Sequence, residues 1–447
     1  MSYPRSTEDY LRADVAHFVH PITEVGQTAG LVFAEGHGIM LRDTDGKEYI
    51  DGIAGAMCVN IGHGRQELAE AAREQMLKLS YTPTFRGNTH TAVVECAEKL
   101  AQIAPQGMEH FFFCSGGSEA VETCLKMARL YWRNQGSGKY KIISLYGGYH
   151  GSAYGATTAT GLHRFGKNYE PLVPGFIHIP NYYCYRCAFG GSYPQCELHC
   201  ARFLEEVIVK EGEDTVAAFI AEPVQGAGGM IPPPAENWPT VRDICTRHKV
   251  LLIADEVVTG FGRTGKMFAV QNWGITPDLM SMAKGITSAY LPFGAVALAQ
   301  PVYEGLKTPG TPMFHLYTYS GHPVCCAVAI KNMEVLVEER LAEDAARVGQ
   351  YLLARMQEME ELPHVAAVDG LGLTLGFEVV ADKATKAPFD PSLKVGDRLV
   401  AQARQRGLIF RLFGERLGLC PPLTVTTQDV DRMVGILRPL LAALPPR

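Results

Sequence analysis

Lys284 stands in Ser281-Met282-Ala283-Lys284-Gly285, an apolar, small-residue setting that would bury its amine. Burial disfavours the charged form of a lysine, so such a position suits a neutral, reactive nitrogen. Upstream, Asp255 closes the apolar run Leu251-Leu252-Ile253-Ala254. A carboxylate there is costly unless a cation meets it. Taken singly, each residue favours a plainer reading, a salt-bridged surface lysine and an ordinary strand-end aspartate. Taken together they match the needs of pyridoxal phosphate, whose aldehyde requires a lysine amine and whose pyridinium nitrogen requires an acid.

Three other segments carry compatible chemistry. Ser115-Gly116-Gly117-Ser118 follows the apolar Phe111-Phe112-Phe113 and opens a helical pattern from Glu119 to Trp132. A strand, a glycine turn, a hydroxyl and a helix start offer backbone N–H groups and a positive dipole end to a phosphate. The alternative is a tight turn with Ser118 as a plain N-cap. No Gly-Lys-Ser/Thr follows, so this is not a Walker loop. Gly147-Gly148-Tyr149-His150-Gly151 comes after a run ending at Leu145, where Tyr149 could stack on a flat heterocycle. Glu222, just past Val216 to Ala221, is a second carboxylate at a strand end. Strand C-termini in an open parallel sheet are where ligands bind. Tyr149, Glu222, Asp255 and Lys284 are therefore expected to share one crevice.

The elements that must position these residues are legible as alternation. Gln66 to Leu79 and Thr91 to Ile103 read as amphipathic helices. Phe111–Phe113, Lys141–Leu145, Val216–Ala221 and Val250–Ala254 read as buried strands, which predicts an α/β domain with a mostly parallel central sheet. Asp43-Thr44-Asp45-Gly46 is a hairpin turn between Ile39-Met40-Leu41 and Glu48-Tyr49-Ile50. A long helical pattern runs from past Cys325 to about Met359, and an α+β segment follows from His364. The expected division is a large domain over 65–328, with 1–64 and 329–447 combining into a small α+β domain.

With 447 residues, 47% hydrophobic, 20% charged and a net charge of −6, the composition is that of a soluble globular chain of two or three domains. The mild acidity gives no electrostatic case for nucleic acid or an anionic membrane. Neither a spanning apolar stretch nor a signal-peptide pattern is found, so a cytoplasmic location is expected. Of twelve cysteines, Cys58, Cys96, Cys114, Cys124 and Cys245 read as small core residues of a reducing compartment. Cys184-Tyr185-Arg186-Cys187 and Cys196-Glu197-Leu198-His199-Cys200 have spacings like a structural zinc site, with His199 as a spare ligand. The intervening loop is short for such a module, so the expectation is a surface loop without metal.

Asp255-Glu256-Val257-Val258-Thr259-Gly260-Phe261-Gly262-Arg263-Thr264-Gly265, then Pro277-Asp278 and Ala283-Lys284-Gly285, resembles the signature of class III aminotransferases, pyridoxal-phosphate enzymes of fold type I. The resemblance extends from Asp43-Asp45-Gly46 and Asn60-Gly62-His63 to Pro421-Pro422-Leu423. It implies that Lys284 carries the cofactor as a Schiff base and later moves the substrate proton. Asp255 would pair with the ring nitrogen, and Tyr149 and Val257 would sandwich the ring. His150 would be a further cofactor-binding residue, and Glu222 would sit near the ring's 3-hydroxyl side. Gly117 and Ser118 would bind the phosphate, with Thr318 reaching it from a neighbouring subunit. That makes a homodimer, or a dimer of dimers, the functional unit. The implied reaction is a ping-pong transfer of an amino group from a primary amine or ω-amino acid to an oxo acid such as pyruvate. A 2-oxoglutarate-linked γ-aminobutyrate or diamine aminotransferase, and a lyase or decarboxylase, are the alternatives on the same scaffold. A non-catalytic scaffold protein is the alternative from another class.

On the substrate side, Arg411 in Leu408-Ile409-Phe410-Arg411-Leu412 resembles the movable arginine of the amine–pyruvate branch, which binds acceptor carboxylates bidentately. The nearby Arg404, Arg406 and Arg416 read as surface arginines. Ile22 and Met57 stand where that branch often carries aromatics. Flexible aliphatics there disfavour aryl-alkyl amines and favour aliphatic ω-amino acids or diamines. Phe85 and Arg86 map near the pocket mouth, and Arg86 could receive a distal acid group of the donor.

Overall fold

The computed structural model of the chain describes residues 5–28, 30–308, 310 and 312–444 and contains three sheets. Strands β1 (Phe33–His37), β2 (Met40–Asp43) and β3 (Glu48–Asp51) form the expected antiparallel start. Asp43 fixes the turn between β2 and β3, because its Oδ1 accepts from the N–H groups of Asp45 and Lys47 at 3.0 and 2.9 Å.

The central sheet contains β4 (Met108–Cys114), β5 (Lys141–Leu145), β6 (Phe176–Ile179), β7 (Val216–Ala221), β8 (Leu251–Asp255), β9 (Leu279–Met282) and β10 (Gly294–Ala299). Their order is β4-β10-β9-β8-β7-β5-β6. The strands from β9 to β6 are parallel, as expected, and β10 runs antiparallel to both of its neighbours. Every residue of β7, β8 and β10 is buried, which explains their unbroken apolar runs. Alternate residues serve two cores. Ile142, Ile220, Ile253, Leu279 and Val296 pack with the helix Gly117–Asn134, while Ile143, Phe219, Leu252, Met280 and Ala297 join the larger cluster opposite. Each of these side chains larger than alanine contributes about 1.5–3 kcal/mol of transfer free energy, so in the fully buried β7, β8 and β9 charge appears only at or just past the strand ends. Glu222, Asp255 and Lys284 stand there.

Helix Thr91–Ile103 forms as read, and Gln66–Lys78 is one residue shorter than its pattern. The long pattern from Cys325 to Met359 is not one helix. It is two, Pro323–Glu338 and Leu341–Gln357, plus a short 3-10 turn. The break falls at Arg340, whose φ of 53° is left-handed. No glycine or proline marks it. The apolar spacing runs on because Leu341, Ala345, Val348, Leu352 and Met356 supply a fresh buried stripe.

The remaining strands are β11 (Val365–Leu371), β12 (Thr374–Val379), β13 (Leu408–Ile409), β14 (Arg411–Phe413) and β15 (Arg416–Leu419). The order β11-β12-β15-β14 makes the third sheet. Strand β13 instead pairs parallel with β3, Leu408 opposite Ile50, and so joins residues from the two ends of the chain. Among the described residues no helix is long and apolar enough to cross a membrane.

Candidate active site

The parallel strands β9, β8, β7 and β5 are adjacent and end at one edge of the sheet. There a cleft of about 190 Å³ is lined by Gly117, Ser118, Tyr149, His150, Gly151, Glu222, Asp255, Val257, Val258 and Lys284. The structure thus brings together every residue expected to hold the cofactor except Thr318.

Asp255, the last residue of β8, is held on both oxygens. Oδ1 accepts from the Ser281 hydroxyl at 3.0 Å and from the Val257 N–H at 3.1 Å. Oδ2 lies 2.7 Å from Nδ1 of His150. Burial alone would depress the imidazole's pKa, but the Asp255 bond and charge, with the charge of Glu222, outweigh it and raise the value. The other nitrogen, Nε2, is buried with no protein partner. Ser281 lacked an assigned role in the sequence. Its signal was a lone hydroxyl in the strand Leu279-Met280-Ser281-Met282, opposite Asp255 in the β8–β9 register.

Glu222 is buried beside this pair. Its Oε2 accepts from the Tyr149 N–H at 3.0 Å and its Oε1 from the Gly226 N–H at 2.9 Å. Burial raises its pKa to about 7, with the Asp255 charge adding to the rise and His150 opposing it.

Lys284 opens a 3-10 turn with φ 47°. The surrounding protein removes its amine from water and lowers its pKa, against the raising effect of Asp255 and Glu222. The turn is gripped from behind. Asn332 Nδ2 donates to the Gly285 carbonyl at 2.8 Å, and a Cβ on Gly285 would meet Asn60 Nδ2 at 2.5 Å. Asn60 in turn donates to the Phe261 carbonyl at 2.8 Å and accepts from buried Arg263 at 2.8 Å. Asn60 and Arg263 lie in family-like motifs, but their support of the lysine turn emerges only on folding.

The helix start is equally confined. Gly116, not Ser118, is the N-cap residue, and Ser118 lies inside the helix Gly117–Asn134. Its hydroxyl accepts from the Ser152 N–H at 3.0 Å. A Cβ on Gly117 would meet Val257 Cγ1 at 2.9 Å, and one on Gly151, φ +131°, would meet Ser118 Oγ at 2.7 Å. The first N–H groups of a helix lack intrahelical acceptors, so this crowded corner can seat an anion.

The other expected site residues divide in two. Met57, with φ 60°, is buried in a cluster with Ile53, Met230, Val258, Phe413 and Cys420, and Val258 also lines the cleft. Arg411 on β14 is exposed, and its Nη2 donates to the Gly55 carbonyl at 3.3 Å. Met57 therefore neighbours the cleft, whereas Arg411 does not line it and its side chain is tied to the segment Ala54–Met57 that carries Met57. Thr318, Phe85, Arg86 and Ile22 do not line the cleft. The Tyr81 hydroxyl donates to the Thr318 carbonyl at 2.7 Å, and that of Thr84 to the Ser320 carbonyl at 3.0 Å. Those bonds join the segment carrying Phe85 and Arg86 to the one carrying Thr318. Ile22 is 87% exposed.

One further reading is corrected by the structure. Arg416 is not a surface arginine. It is 2% exposed, and its guanidinium binds Asp369, Tyr183 and the Gly229 carbonyl. Cys184, Cys187, Cys196 and Cys200 are free thiols. They lie within electrostatic reach of one another, yet among the described residues no three His, Cys, Asp or Glu are arranged to hold a metal ion.

Pyridoxal phosphate fits these residues. The cleft offers a lysine of depressed pKa, a carboxylate for a ring nitrogen, flanking Tyr149 and Val257 side chains and an anion seat. A sequence model of the aminotransferase class-III family matches residues 22–441. A diaminobutyrate–2-oxoglutarate transaminase from Halomonas elongata is 43% identical over 421 residues, 92% of this chain and 90% of that one. A putrescine–pyruvate aminotransferase from Pseudomonas aeruginosa is 38% identical over 430 residues, 95% and 94% of the two chains. The crystal structure of a thermostable (S)-enantioselective omega-transaminase from Thermomicrobium roseum superposes with a TM-score of 0.95. It is 42% identical and covers 98% of this chain and 99% of that one.

Proposed function

The chain belongs to the class-III aminotransferases, which depend on pyridoxal phosphate, and from that premise we propose an ω-aminotransferase that moves an amino group from an aliphatic diamine or ω-amino acid to an oxo acid, foremost pyruvate. The observation that carries this reading is the cleft itself, where Lys284, the Asp255–His150 pair and the Gly117 helix start converge.

When bound, the cofactor supplies an aldehyde that exchanges amines and a pyridinium ring that draws off an electron pair. This chain's residues do the rest. Asp255, clamped by Ser281, Val257 and His150, presents its carboxylate to the ring nitrogen. Gly117 and Ser118 would hold the phosphate, joined by the partner subunit's Thr318. Tyr149 and Val257 would hold the ring between them. Glu222, its own oxygens fixed by two backbone N–H groups, would act on the ring's oxygen-bearing side. Lys284, its amine biased toward the neutral form, would move the proton between the amine-bearing carbon and the cofactor's C4′, both reached from the one face it occupies.

Arg411 recognises the carboxylate of the acceptor. Its exposed bond to the Gly55 carbonyl, at 3.3 Å, is worth on the order of 1 kcal/mol. The side chain therefore swings aside cheaply to admit an uncharged donor end. Met57 makes a pliant aliphatic wall beside the cleft, which supports aliphatic over aryl-alkyl donors. The diaminobutyrate and putrescine enzymes among the relatives support the same donor class. A 2-oxoglutarate acceptor is the second reading, favoured by the Halomonas elongata relative. Half-reactions of the holoenzyme with a panel of diamines, ω-amino acids and aryl-alkyl amines, then with pyruvate or 2-oxoglutarate, decide between them. Aryl-alkyl amines reacting faster than diamines would overturn the donor assignment.

A further inference from the structure

Arg416 begins β15 with its guanidinium shut inside the protein. Nε donates to the Gly229 carbonyl at 2.7 Å, Nη1 to the Tyr183 hydroxyl and the Ala367 carbonyl, and Nη2 to Asp369. The planar fork passes between two glycines. A Cβ on Gly229, φ +125°, would meet Arg416 Cδ at 2.6 Å, and one on Gly376 would meet Nη2 at 2.5 Å. Tyr183 lies under the cation, 4.8 Å from ring centre to Cζ, and donates to Glu378 at 2.6 Å. Glu378 is held in turn by Arg186. Every charge in this network is paired, as burial demands.

The bond to Gly229 has consequences at the cleft. Gly229 belongs to the turn Gly226 to Met230, in which both the Gly229 and Met230 N–H groups donate to the Gly226 carbonyl at 3.0 Å. The Gly226 N–H is the donor to Glu222 in the cleft. Met230 packs with Met57, Val258, Phe413 and Cys420, the apolar wall next to the cleft. Arg416 itself pairs with Phe413 across the β14–β15 hairpin that carries Arg411. One guanidinium thus ties the turn bonded to Glu222 to the hairpin bearing the acceptor-binding arginine.

We propose that Arg416 is a positioning residue that sets the spacing of the two substrate walls, the Gly226–Met230 turn and the Arg411 hairpin. The inference rests on the aminotransferase reading and on Arg411 as the carboxylate receptor. A lysine at this position keeps the charge opposite Asp369 but has no fork with which to hold Gly229 at the same time. Removing the clamp lets the walls drift, and displacements of about 1 Å at such sites cost up to about a hundredfold.

The test uses the holoenzymes Arg416→Lys, Arg416→Met and Tyr183→Phe. Substrate KM and kcat are measured with the best donor and acceptor, and borohydride labelling of Lys284 reports cofactor loading. The expected result is an oxo-acid KM raised about tenfold in both Arg416 variants, with kcat within about threefold and labelling unchanged. Tyr183→Phe, which leaves the Gly229 bond in place, is expected to shift KM by less. If Arg416→Met does not fold, the other two variants carry the test. Parental KM in Arg416→Lys, or a loss confined to the active fraction, overturns the proposal while leaving the aminotransferase reading intact. A parent enzyme that transfers no amino group between any tested pair overturns both.

Discussion

His150 Nδ1 and Asp255 Oδ2 lie 2.7 Å apart, both side chains buried beneath the cleft. Glu222 lies beside them, and the ionisation of Glu222 and that of His150 each respond to the other's charge. The apo-protein's stability should record that coupling. The folded value of Glu222, about 7, exceeds its ordinary 4.5. Its favourable contribution is therefore complete below pH 4.5 and is lost as the pH rises through 7. His150, raised above 6.5, acts in the same direction from there upward. Urea unfolding of Glu222→Gln should show a shallower decline between pH 4.5 and 7, by on the order of 3 kcal/mol. Buried Glu256, also near 7, retains its own share in both proteins. Parallel stability curves for parent and variant would refute the assignment.

Asp255→Asn tests the ring-nitrogen contact. The amide keeps the shape but gives up the charge aimed at the cofactor and alters the hydrogen bond to His150. We expect kcat to fall about 10²–10³-fold while the protein still takes up pyridoxal phosphate. A variant within tenfold of the parent would remove the carboxylate from its electrostatic role.

Lys284→Ala would remove both the proposed attachment point of the cofactor and the proposed base. Transamination should fall by at least about 10³-fold, and borohydride should no longer fix label to the peptide spanning position 284. In the parent, label found on any other lysine would displace Lys284 from its role.

The cradle was legible before folding because the residues that carry it break a rule locally. Charges close apolar runs at Glu222 and Asp255, and a lysine sits among small residues at Lys284. Such violations stand out in one dimension. Arg416 broke no local rule. It lies in a stretch with Arg404, Arg406 and Arg411, and only tertiary packing surrounds it with Tyr183, Gly229 and Asp369, each remote in sequence. The helix break at Arg340 was hidden for a related reason. The left-handed residue there is neither glycine nor asparagine, and the buried stripe resumes at once with Leu341.

Arg411→Ala should separate the two half-reactions. Losing a charge-assisted contact costs about 1.5–3 kcal/mol, or roughly ten- to a hundredfold in oxo-acid KM. Diamine KM should change by less than about threefold, since that end of the substrate carries no carboxylate. Equal losses on both sides would show that the arginine supports the hairpin and does not select the acceptor.

Thr318 does not line the cleft of its own chain, so the phosphate contact proposed for it would need a second chain. Its segment displays Phe314, Leu316 and Tyr319 at 88%, 56% and 60% exposure, an apolar surface that a two-fold partner would cover. Sedimentation should find a dimer, and Phe314→Asp should weaken it. Complementation tests the shared site directly. Lys284→Ala and Thr318→Trp are each expected to be nearly inactive as homodimers. In an isologous dimer the mixed species joins the Lys284 of one chain to the Thr318 of the other, restoring one intact site. Random exchange of equal amounts makes half the dimers mixed, so activity should recover to about a quarter of the parent. Activity equal to the sum of the two separate variants would place Thr318 outside the neighbouring site.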